Sequence, residues 1–325
     1  MISVIPKKTS RRFLLTLYFV SILLLILFSC VGVAVLKFYF SHLTGPKQTG
    51  LGGVLSGVKN DYILLGSSHT ALSYQLPEME KSLDARIYAI SYNGLSFSLM
   101  YPILQFLSEK DLLKNVHIII ECYTGTAVIK PNLQDIRLYY HAPPALKKRI
   151  IKLLADNNQL TKANLYHLLF SSSSKDIVCS PIVNPILDKI FCHGIQTHIN
   201  SPGMSQNDFA TIISPVKGKG LCLDPQNINA LNRIFKLLVK NKIQAVFVES
   251  PMPAVIESDP SYKQNKEELK KIISKAGFIY IDGAKNFPVN DHNMFMDAGH
   301  LSSTGRHVFT KKIIKYFTPV NASPY

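Results

Sequence analysis

The feature that most constrains the fold of this chain is a series of five short apolar runs that alternate with segments of helical periodicity. The runs are apolar almost throughout and rich in β-branched or aromatic residues, which is typical of strands buried on both faces of a sheet. They are Tyr62 to Leu65, Arg86 to Ile90, Val116 to Cys122, Ile243 to Glu249 and Phe278 to Asp282. Alternation of such strands with helices predicts an α/β three-layer sandwich with a parallel sheet.

Helix signals lie between these runs. Asp224 and Pro225 form a cap and a first helical residue, and apolar residues then recur at helical spacing. A last helix is predicted over 304–316, capped by Ser302 or Ser303. We predict the strand order 2-1-3-4-5, a flavodoxin-like arrangement in which the first strand ends beside the switch point where α/β proteins bind ligands.

An uncharged apolar run precedes this domain. It extends from Phe13 to Leu36, long enough to span a bilayer as a helix, and it includes Cys30. The run lacks a convincing small-residue cleavage site, so we predict a retained transmembrane anchor rather than a cleaved signal peptide. Four basic residues stand before it: Lys7, Lys8, Arg11 and Arg12. The positive-inside rule therefore puts the N-terminus in the cytoplasm and the following domain outside.

The predicted organisation has one folded domain beyond the anchor. Between Tyr123 and about Pro215 the alternation of strands and helices stops, which indicates a large insertion. Both a lid or substrate-binding subdomain and an unrelated structural insertion fit this pattern. The predicted segments are a cytoplasmic N-terminus 1–12, an anchor 13–36, a polar glycine-rich linker 37–60, a domain 61–317 with its insertion at about 124–215, and a tail 318–325.

Composition restricts the partners of the chain. A hydrophobic content of 47% excludes a disordered protein. The formal net charge is +15, but the lysines are spread along several predicted helices without an arginine-rich arm, so we predict no nucleic-acid binding. Anionic lipid headgroups or acidic envelope polymers would attract such a basic surface.

Four cysteines would lie in an oxidising compartment under this topology: Cys122, Cys179, Cys192 and Cys222. The sequence does not assign their pairing. Cys122 could stay free at a strand end and Cys179 could bridge to Cys192, but four reduced thiols fit equally well. His193 and His198 add zinc-type ligands near Cys192, yet the spacing matches no zinc module, so we predict no metal and no cofactor.

The first candidate catalytic motif follows the first predicted strand. The chain there reads Leu64-Leu65-Gly66-Ser67-Ser68-His69-Thr70, an apolar strand leading through small residues into a predicted helix. A serine at such a turn exposes its hydroxyl, and nearby backbone N–H groups and the helix dipole can stabilise an oxyanion. Gly-Ser-Ser at a turn is also common as a simple helix cap, so this motif alone leaves both interpretations open.

The second candidate motif, Asp297-Ala298-Gly299-His300-Leu301-Ser302, lies just before the last predicted helix. An aspartate three residues before a histidine can accept the Nδ1 proton, which leaves Nε2 free to take a proton from a serine. A loop salt bridge has the same spacing, but its combination with Gly-Ser-Ser after the first strand is far less common. We therefore predict a catalytic triad of Ser68, Asp297 and His300.

These residues resemble the SGNH, or GDSL-like, hydrolase family, in which Gly-Asp-Ser follows the first strand and Asp-x-x-His precedes the C-terminal helix. Here Ser67 stands where many members have aspartate. The resemblance covers roughly Asp61 to Phe317 without the insertion. It implies Ser68 as nucleophile, His300 as general base and then acid, and Asp297 as the residue that orients the imidazole.

The resemblance also implies an oxyanion hole. Its donors would be the backbone N–H groups of Ser68 and Gly94, the latter in the sequence Ser91-Tyr92-Asn93-Gly94. The family's Gly-x-Asn-Asp block after the third strand has no match, because this chain reads Ile120-Glu121-Cys122-Tyr123-Thr124-Gly125 there. Asn93 could supply the missing side-chain donor, or two backbone groups alone could form the hole.

Within this superfamily the motifs are most similar to the membrane-anchored envelope branch, which includes proteins of lipoteichoic acid D-alanylation and alginate O-acetylation. This resemblance implies acyl transfer to or from a cell-envelope polymer as readily as ester hydrolysis. An acylated envelope polymer or a small ester would be the substrate, and a membrane acyl-donor protein is a possible partner. The alternative is a catalytically silent binding or assembly module for an envelope polymer, in which the missing asparagine block reflects lost catalysis.

Three further polar residues lie near the ends of predicted strands. His69 follows Ser68, but adjacent side chains at a helix start diverge, so we expect it on the rim of the site rather than as the base. Glu121 and Glu249 end the third and fourth strands, at the sheet edge where sites gather. Either could bind substrate, although such residues are more often structural.

Overall fold

The computed structural model describes residues 15–25, 27–28, 31, 50–55, 57–135, 138–139, 142–158, 201–212 and 222–317. The chain divides into two compact units, Met1–Leu43 and Thr44–Tyr325. In the first unit, residues 15–25 are helical and expose large apolar side chains such as Phe19 and Leu25. Among the described residues, no helix is both long enough and apolar enough to cross a membrane.

A five-stranded parallel sheet forms the centre of the second unit. Its strands follow the order β2-β1-β3-β4-β5, and every neighbouring pair is parallel. They are β1 (Tyr62–Gly66), β2 (Ile87–Ser91), β3 (His117–Glu121), β4 (Ala245–Glu249) and β5 (Ile279–Asp282). The predicted α/β class and strand order are confirmed, and no predicted strand end differs by more than two residues.

Helices connect and cover these strands. In chain order they are α1 (Leu51–Leu55), α2 (Ser68–Ser73), α3 (Leu76–Leu83), α4 (Phe97–Glu109), α5 (Thr124–Ala127), α6 (Pro144–Asp156), α7 (Gln206–Ala210), α8 (Pro225–Lys240), α9 (Ala254–Glu257), α10 (Pro260–Lys275) and α11 (Ser303–Ile314). Asp224 caps α8 through its side chain, and Ser302 caps α11, as the sequence predicted. Gly277, with φ of +85°, follows the end of α10.

Two hydrophobic cores cover the two faces of the sheet. Successive side chains of a strand point to opposite faces, so Ile63 belongs to one core and Leu64 to the other. The first core contains apolar residues of α4, α6, α8 and α10. The second contains residues of α3 and α11, such as Met79 and Phe309. This arrangement gives three layers, helices on each side of one sheet.

The predicted linker over 37–60 is wrong for residues 50–55. Leu51 and Val54 of α1 are buried, and the Leu51 N–H donates to the Tyr92 hydroxyl at 2.8 Å. The Gly53 N–H donates to the Tyr88 hydroxyl at 3.0 Å, and a Cβ on Gly53 would overlap the Tyr88 ring. Gly53 thus allows α1 to pack closely against Tyr88 of the sheet.

Only part of the predicted insertion lies within the described residues. Helix α6 packs its apolar face into the same core as α4. Residues 159–200 lie outside the described part of the chain, and so do Cys179, Cys192, His193 and His198, as does Cys30 of the predicted anchor. Cys122 is buried with a free thiol, and burial raises the pKa of that thiol.

Candidate active site

Ser68 lies at the turn from β1 to α2, as the first residue of the helix. Ser67 is the N-cap, and its side chain accepts the His69 N–H at 3.4 Å. The hydroxyl of Ser91, at the end of the neighbouring strand β2, donates to the Ser67 carbonyl at 2.6 Å. These contacts fix the turn and leave the Ser68 side chain partly accessible. Sequence reasoning missed the role of Ser91, for which the end of a predicted strand was the only signal.

Gly66 is required at this turn because two other elements approach its Cα closely. A Cβ at this position would overlap Oγ1 of Thr70 on α2 and Cβ of Glu121 on β3. The absence of a side chain thus lets β1 and β3 approach each other directly behind the serine.

A short hairpin presents Asp297 and His300. Phe295 and Leu301, both buried, pair as an antiparallel bridge at its base. Across the hairpin, the Met296 N–H donates to the His300 carbonyl at 3.0 Å. Helix α11 begins directly after it, so the hairpin is anchored on both sides by packed structure.

The structure joins the three predicted triad residues by hydrogen bonds. Nε2 of His300 lies 2.9 Å from Oγ of Ser68, although the two residues are 232 positions apart. Nδ1 of His300 lies 3.0 Å and 2.9 Å from the two carboxylate oxygens of Asp297. The predicted geometry, with serine within reach of one ring nitrogen and aspartate at the other, is confirmed.

Asp297 is arranged to remain a carboxylate. Partial burial raises its pKa, but hydrogen bonds from the His300 ring, the Gly299 N–H and the His300 N–H outweigh burial and lower the pKa below its usual value. The Gly299 N–H donates to Oδ1 at 2.7 Å and the His300 N–H at 2.9 Å. A fixed carboxylate at Nδ1 holds the ring in the tautomer whose Nε2 can accept the serine proton.

The predicted oxyanion-hole residues follow the end of β2. Gly94 has a φ of +64°, and its Cα faces the Gln134 side chain. The Asn93 N–H donates to the Asp135 carboxylate at 2.9 Å, and the Asn93 side chain is exposed. Within the described residues, neither the Ser68 N–H nor the Gly94 N–H has a protein acceptor. The composition of the hole stays a prediction.

His69 does not lie on the rim, so this prediction was wrong. The side chain is 5% exposed, between Tyr123 and the triad. Its ring centroid lies 4.0 Å from that of Tyr123 and 5.1 Å from that of His300. The position of His69 next to Ser68 in the sequence could not predict this burial, because the ring that covers His69 belongs to Tyr123, in the segment after β3.

Glu121 and Glu249 are buried, and internal donors occupy both carboxyl groups. Ser250 donates its N–H and its hydroxyl to Glu121, each at 2.9 Å. Glu249 accepts the Thr124 N–H at 3.1 Å and the Tyr262 hydroxyl at 2.6 Å. The structure therefore favours the structural interpretation for both residues over substrate binding.

One part of the insertion borders the site. The Met204 N–H donates to the Phe295 carbonyl at 2.7 Å, and the Ser303 N–H donates to the Ser201 carbonyl at 3.0 Å. Residues 201–204 thus hold the hairpin that carries Asp297 and His300. Across the described ranges, no cluster of three or more histidine, cysteine or acidic side chains has the geometry to hold a metal ion.

The fold and the site together define an α/β domain with a hydrogen-bonded Ser-His-Asp array at the carboxyl end of its first strand. The sequence matches no protein-family model, and a search of curated proteins finds no significant match.

Proposed function

We propose that this protein is a membrane-anchored serine esterase or acyltransferase of the SGNH type that acts on ester-linked acyl groups such as those of a cell-envelope polysaccharide. The observation that carries the proposal is the Ser68–His300–Asp297 hydrogen-bond array, with 2.9 Å between Ser68 Oγ and His300 Nε2. A nucleophile within reach of a base that is itself oriented by a third group is the arrangement that acyl transfer needs.

In the first half of the reaction, Ser68 Oγ attacks the ester carbonyl carbon and its proton passes to Nε2 of His300. Asp297 stabilises the imidazolium that forms. The tetrahedral intermediate then collapses, the bond to the alcohol oxygen breaks, and His300 returns the proton to that oxygen. The products are a free alcohol and an acyl-enzyme on Ser68.

In the second half, water or a sugar hydroxyl attacks the acyl-enzyme while Nε2 of His300 removes its proton. Collapse of the second tetrahedral intermediate releases the acid or the new ester, and the proton returns to Ser68. The negative charge on each intermediate needs N–H donors. The N–H groups of Ser68 and Gly94 support this role, since neither has an acceptor among the described residues.

The anchor is part of the proposal. The run from Phe13 to Leu36 contains no charged residue, and its described helical residues expose large apolar side chains, which favours contact with lipid over contact with water. The proposed location is single-pass, with a cytoplasmic N-terminus and an extracytoplasmic domain.

A second candidate function is a catalytically silent binding or assembly module. It is favoured by the residues directly after β3, Cys122 to Gly125, which include no asparagine that could donate to an oxyanion. The Thr124 N–H is also directed to Glu249. Such a module would retain the hydrogen bonds among Ser68, His300 and Asp297 but would not hydrolyse or transfer an ester.

Turnover separates the two functions. We expect the full-length protein in detergent to hydrolyse p-nitrophenyl acetate, and Ser68→Ala or His300→Ala to lower kcat by about 10⁴-fold. Ser67→Ala is the matched control, because Ser67 Oγ caps the helix, and its loss should have a milder effect. Equal rates for the wild type and Ser68→Ala would refute the esterase proposal and support the silent module.

A further inference from the structure

A cleft of about 540 Å³ lies between the second half of α11 and the segment that follows β5. Its lining includes three lysines and three apolar or aromatic residues: Lys311, Lys312, Lys315, Phe287, Val308 and Tyr316. The triad hairpin precedes Ser303, the first residue of α11, and Lys311 lies about 12 Å further along the helix at 1.5 Å per residue. The cleft is therefore separate from the active site.

The lining of this cleft is positively charged. Among the described residues, none that lines it is acidic. Lys311 and Lys315 are exposed and stand four positions apart, so they lie on one face of the helix, where like charges repel each other. Within the described part of the chain, neither Lys311 nor Lys312 forms an ion pair with a carboxylate.

Lys312 fixes the two sides of the cleft relative to each other. Its ammonium group donates to the carbonyls of Asp282 and Gly283, each at 2.8 Å, and to the carbonyl of Lys285. These bonds join α11 to the segment after β5. Burial lowers the pKa of Lys312 to about 8, although the Asp282 carboxylate raises it. The cleft thus contains a partly buried cation that carbonyl groups, rather than a direct ion pair, hold in place.

Helix stabilisation alone does not account for these lysines. A lysine in the last turn of a helix interacts favourably with the helix dipole, but the dipole supplies only about half a negative charge there. Carboxylates on neighbouring elements have other partners. Oε2 of Glu78 lies 2.8 Å from Nδ1 of His307. Oδ1 of Asp282 lies 2.8 Å from Nζ of Lys266. The surplus positive charge of the cleft therefore fits an anionic ligand.

The lining favours a phosphate ester over a carboxylate as this anion. A phosphate group spreads its negative charge over more oxygens than a carboxylate does, so it can contact ammonium groups on several sides. Lysine binds phosphate as a point charge, without the paired geometry that arginine imposes. The apolar groups of Phe287, Val308 and Tyr316 beside the lysines suit the carbon skeleton to which an ester phosphate is attached.

We propose that the cleft between α11 and the segment after β5 binds a phosphate ester, with Lys311 and Lys315 contacting the phosphate oxygens and Lys312 supplying a fixed positive charge. A soluble compound such as glycerol phosphate and the headgroup of an anionic phospholipid share this chemistry. The inference does not rest on the proposed esterase function.

The test measures how fast individual lysines are acetylated by sulfo-N-hydroxysuccinimide acetate, with mass spectrometry as the readout. The full-length protein is held in nanodiscs of phosphatidylcholine, whose headgroup has no net charge. Phosphate is supplied either as sn-glycerol 3-phosphate in solution or as phosphatidylglycerol in the nanodisc. Bound phosphate should slow acetylation of Lys311 and Lys315 by about tenfold, because raising an amine pKa by one unit lowers its neutral, reactive fraction by that factor.

Matched controls separate a site from general attraction to a basic protein. Lys148 and Lys152 on α6 are also exposed and four positions apart, but they do not line the cleft, so their rates should change by less than about twofold. Sodium acetate at the same ionic strength controls for screening. Lys311→Glu should abolish the slowing at Lys315, whereas Lys148→Glu, with the same change in net charge, should preserve it. Each variant is compared with its own rate without phosphate.

Either phosphate source can support the site. Slowing by glycerol phosphate would identify a soluble ligand, and slowing by phosphatidylglycerol alone would identify a lipid headgroup. The proposal is overturned if neither source slows Lys311 and Lys315, or if sodium acetate slows them equally. Equal slowing at Lys148 and Lys152, or slowing at Lys315 that survives Lys311→Glu, would also overturn it.

Discussion

At the strand-to-helix turn, three consecutive residues have separate tasks. Gly66 allows β3 to approach, Ser67 caps the helix and Ser68 presents its hydroxyl to His300. Sequence reasoning could locate this turn because an apolar strand followed by small hydroxyl residues is a local pattern. It could not predict that Glu121 packs against Gly66, since Glu121 belongs to another strand.

Gly66→Ala tests this close approach. The new Cβ would overlap Cβ of Glu121, so either β1 or β3 must shift, and we expect a loss of about 1–3 kcal/mol in the free energy of unfolding. Ester turnover should fall as well, because Ser68 moves with the turn. Chemical denaturation of the full-length protein measures the first effect.

Gly299→Ala is the matched control. A Cβ there would meet only Oδ1 of Asp297 at 3.7 Å, an ordinary contact, and the Gly299 N–H would be retained. Its stability should stay within about 0.5 kcal/mol of the wild type. If Gly66→Ala were no less stable than Gly299→Ala, the packing role of Gly66 would be wrong.

At the scale of elements, the carboxyl ends of β3 and β4 are joined by buried polar contacts. Glu121 on β3 binds Ser250, which follows β4, and Glu249 on β4 binds Thr124, which follows β3. These reciprocal hydrogen bonds hold in place the segments that follow β3 and β4, which lie beside the site. The positions of both glutamates at strand ends were predictable from the sequence, but their partners were not, because each lies across the sheet.

Glu121→Gln should change how stability depends on pH. Burial, the largest cause, raises the pKa of Glu121 from 4.5 to about 8, against the hydrogen bonds from Ser250. The folded state therefore holds a proton that the unfolded state releases above pH 4.5, so the contribution of Glu121 to stability falls as the pH rises from about 4.5 to 8 and then levels off. Glutamine resembles the protonated form and should remove this fall, on the order of a few kcal/mol.

Denaturation curves between pH 5 and pH 9 measure this slope. Glu109→Gln is the control, because a hydrogen bond from Arg149 lowers the pKa of that exposed carboxyl, so its contribution is lost only in acid. Relative to the wild type, Glu121→Gln should gain stability progressively as the pH rises from 5 to 8, and Glu109→Gln should show no such gain. A slope unchanged in Glu121→Gln would show that the carboxyl is ionised in the fold.

Helix α1 marks a limit of prediction at this scale. The glycines at 50, 52 and 53 indicate a linker by composition. In the fold, residues 51–55 form a helix, and the missing Cβ at Gly53 lets the Tyr88 ring lie against the helix backbone. A glycine needed for close packing and a glycine needed for flexibility look the same in a sequence. By contrast, strands buried on both faces leave an apolar run that composition alone reveals.

At the scale of the whole molecule, the sheet order was predictable because short apolar strands alternate with helices and parallel connections leave few topologies. The triad was predictable because each half is a local motif. The burial of His69 and the contact of residues 201–204 with the hairpin depend on segments distant in sequence, and neither motif contains that information.

The proposed topology is tested with reporter fusions at the C-terminus. The basic residues before Phe13 should keep the N-terminus in the cytoplasm, so an alkaline phosphatase fusion should be active and a green fluorescent protein fusion exported through the same route should not fluoresce. The opposite pair of results would reverse the topology.

The central claim is that His300 activates Ser68 as a nucleophile, and fluorophosphonate labelling of the full-length protein tests it most directly. Mass spectrometry should find one label, on Ser68. The labelling rate should fall by about 10²-fold or more in His300→Ala and persist in Ser67→Ala. Absence of a label on Ser68, or a rate that His300→Ala leaves unchanged, would contradict the account.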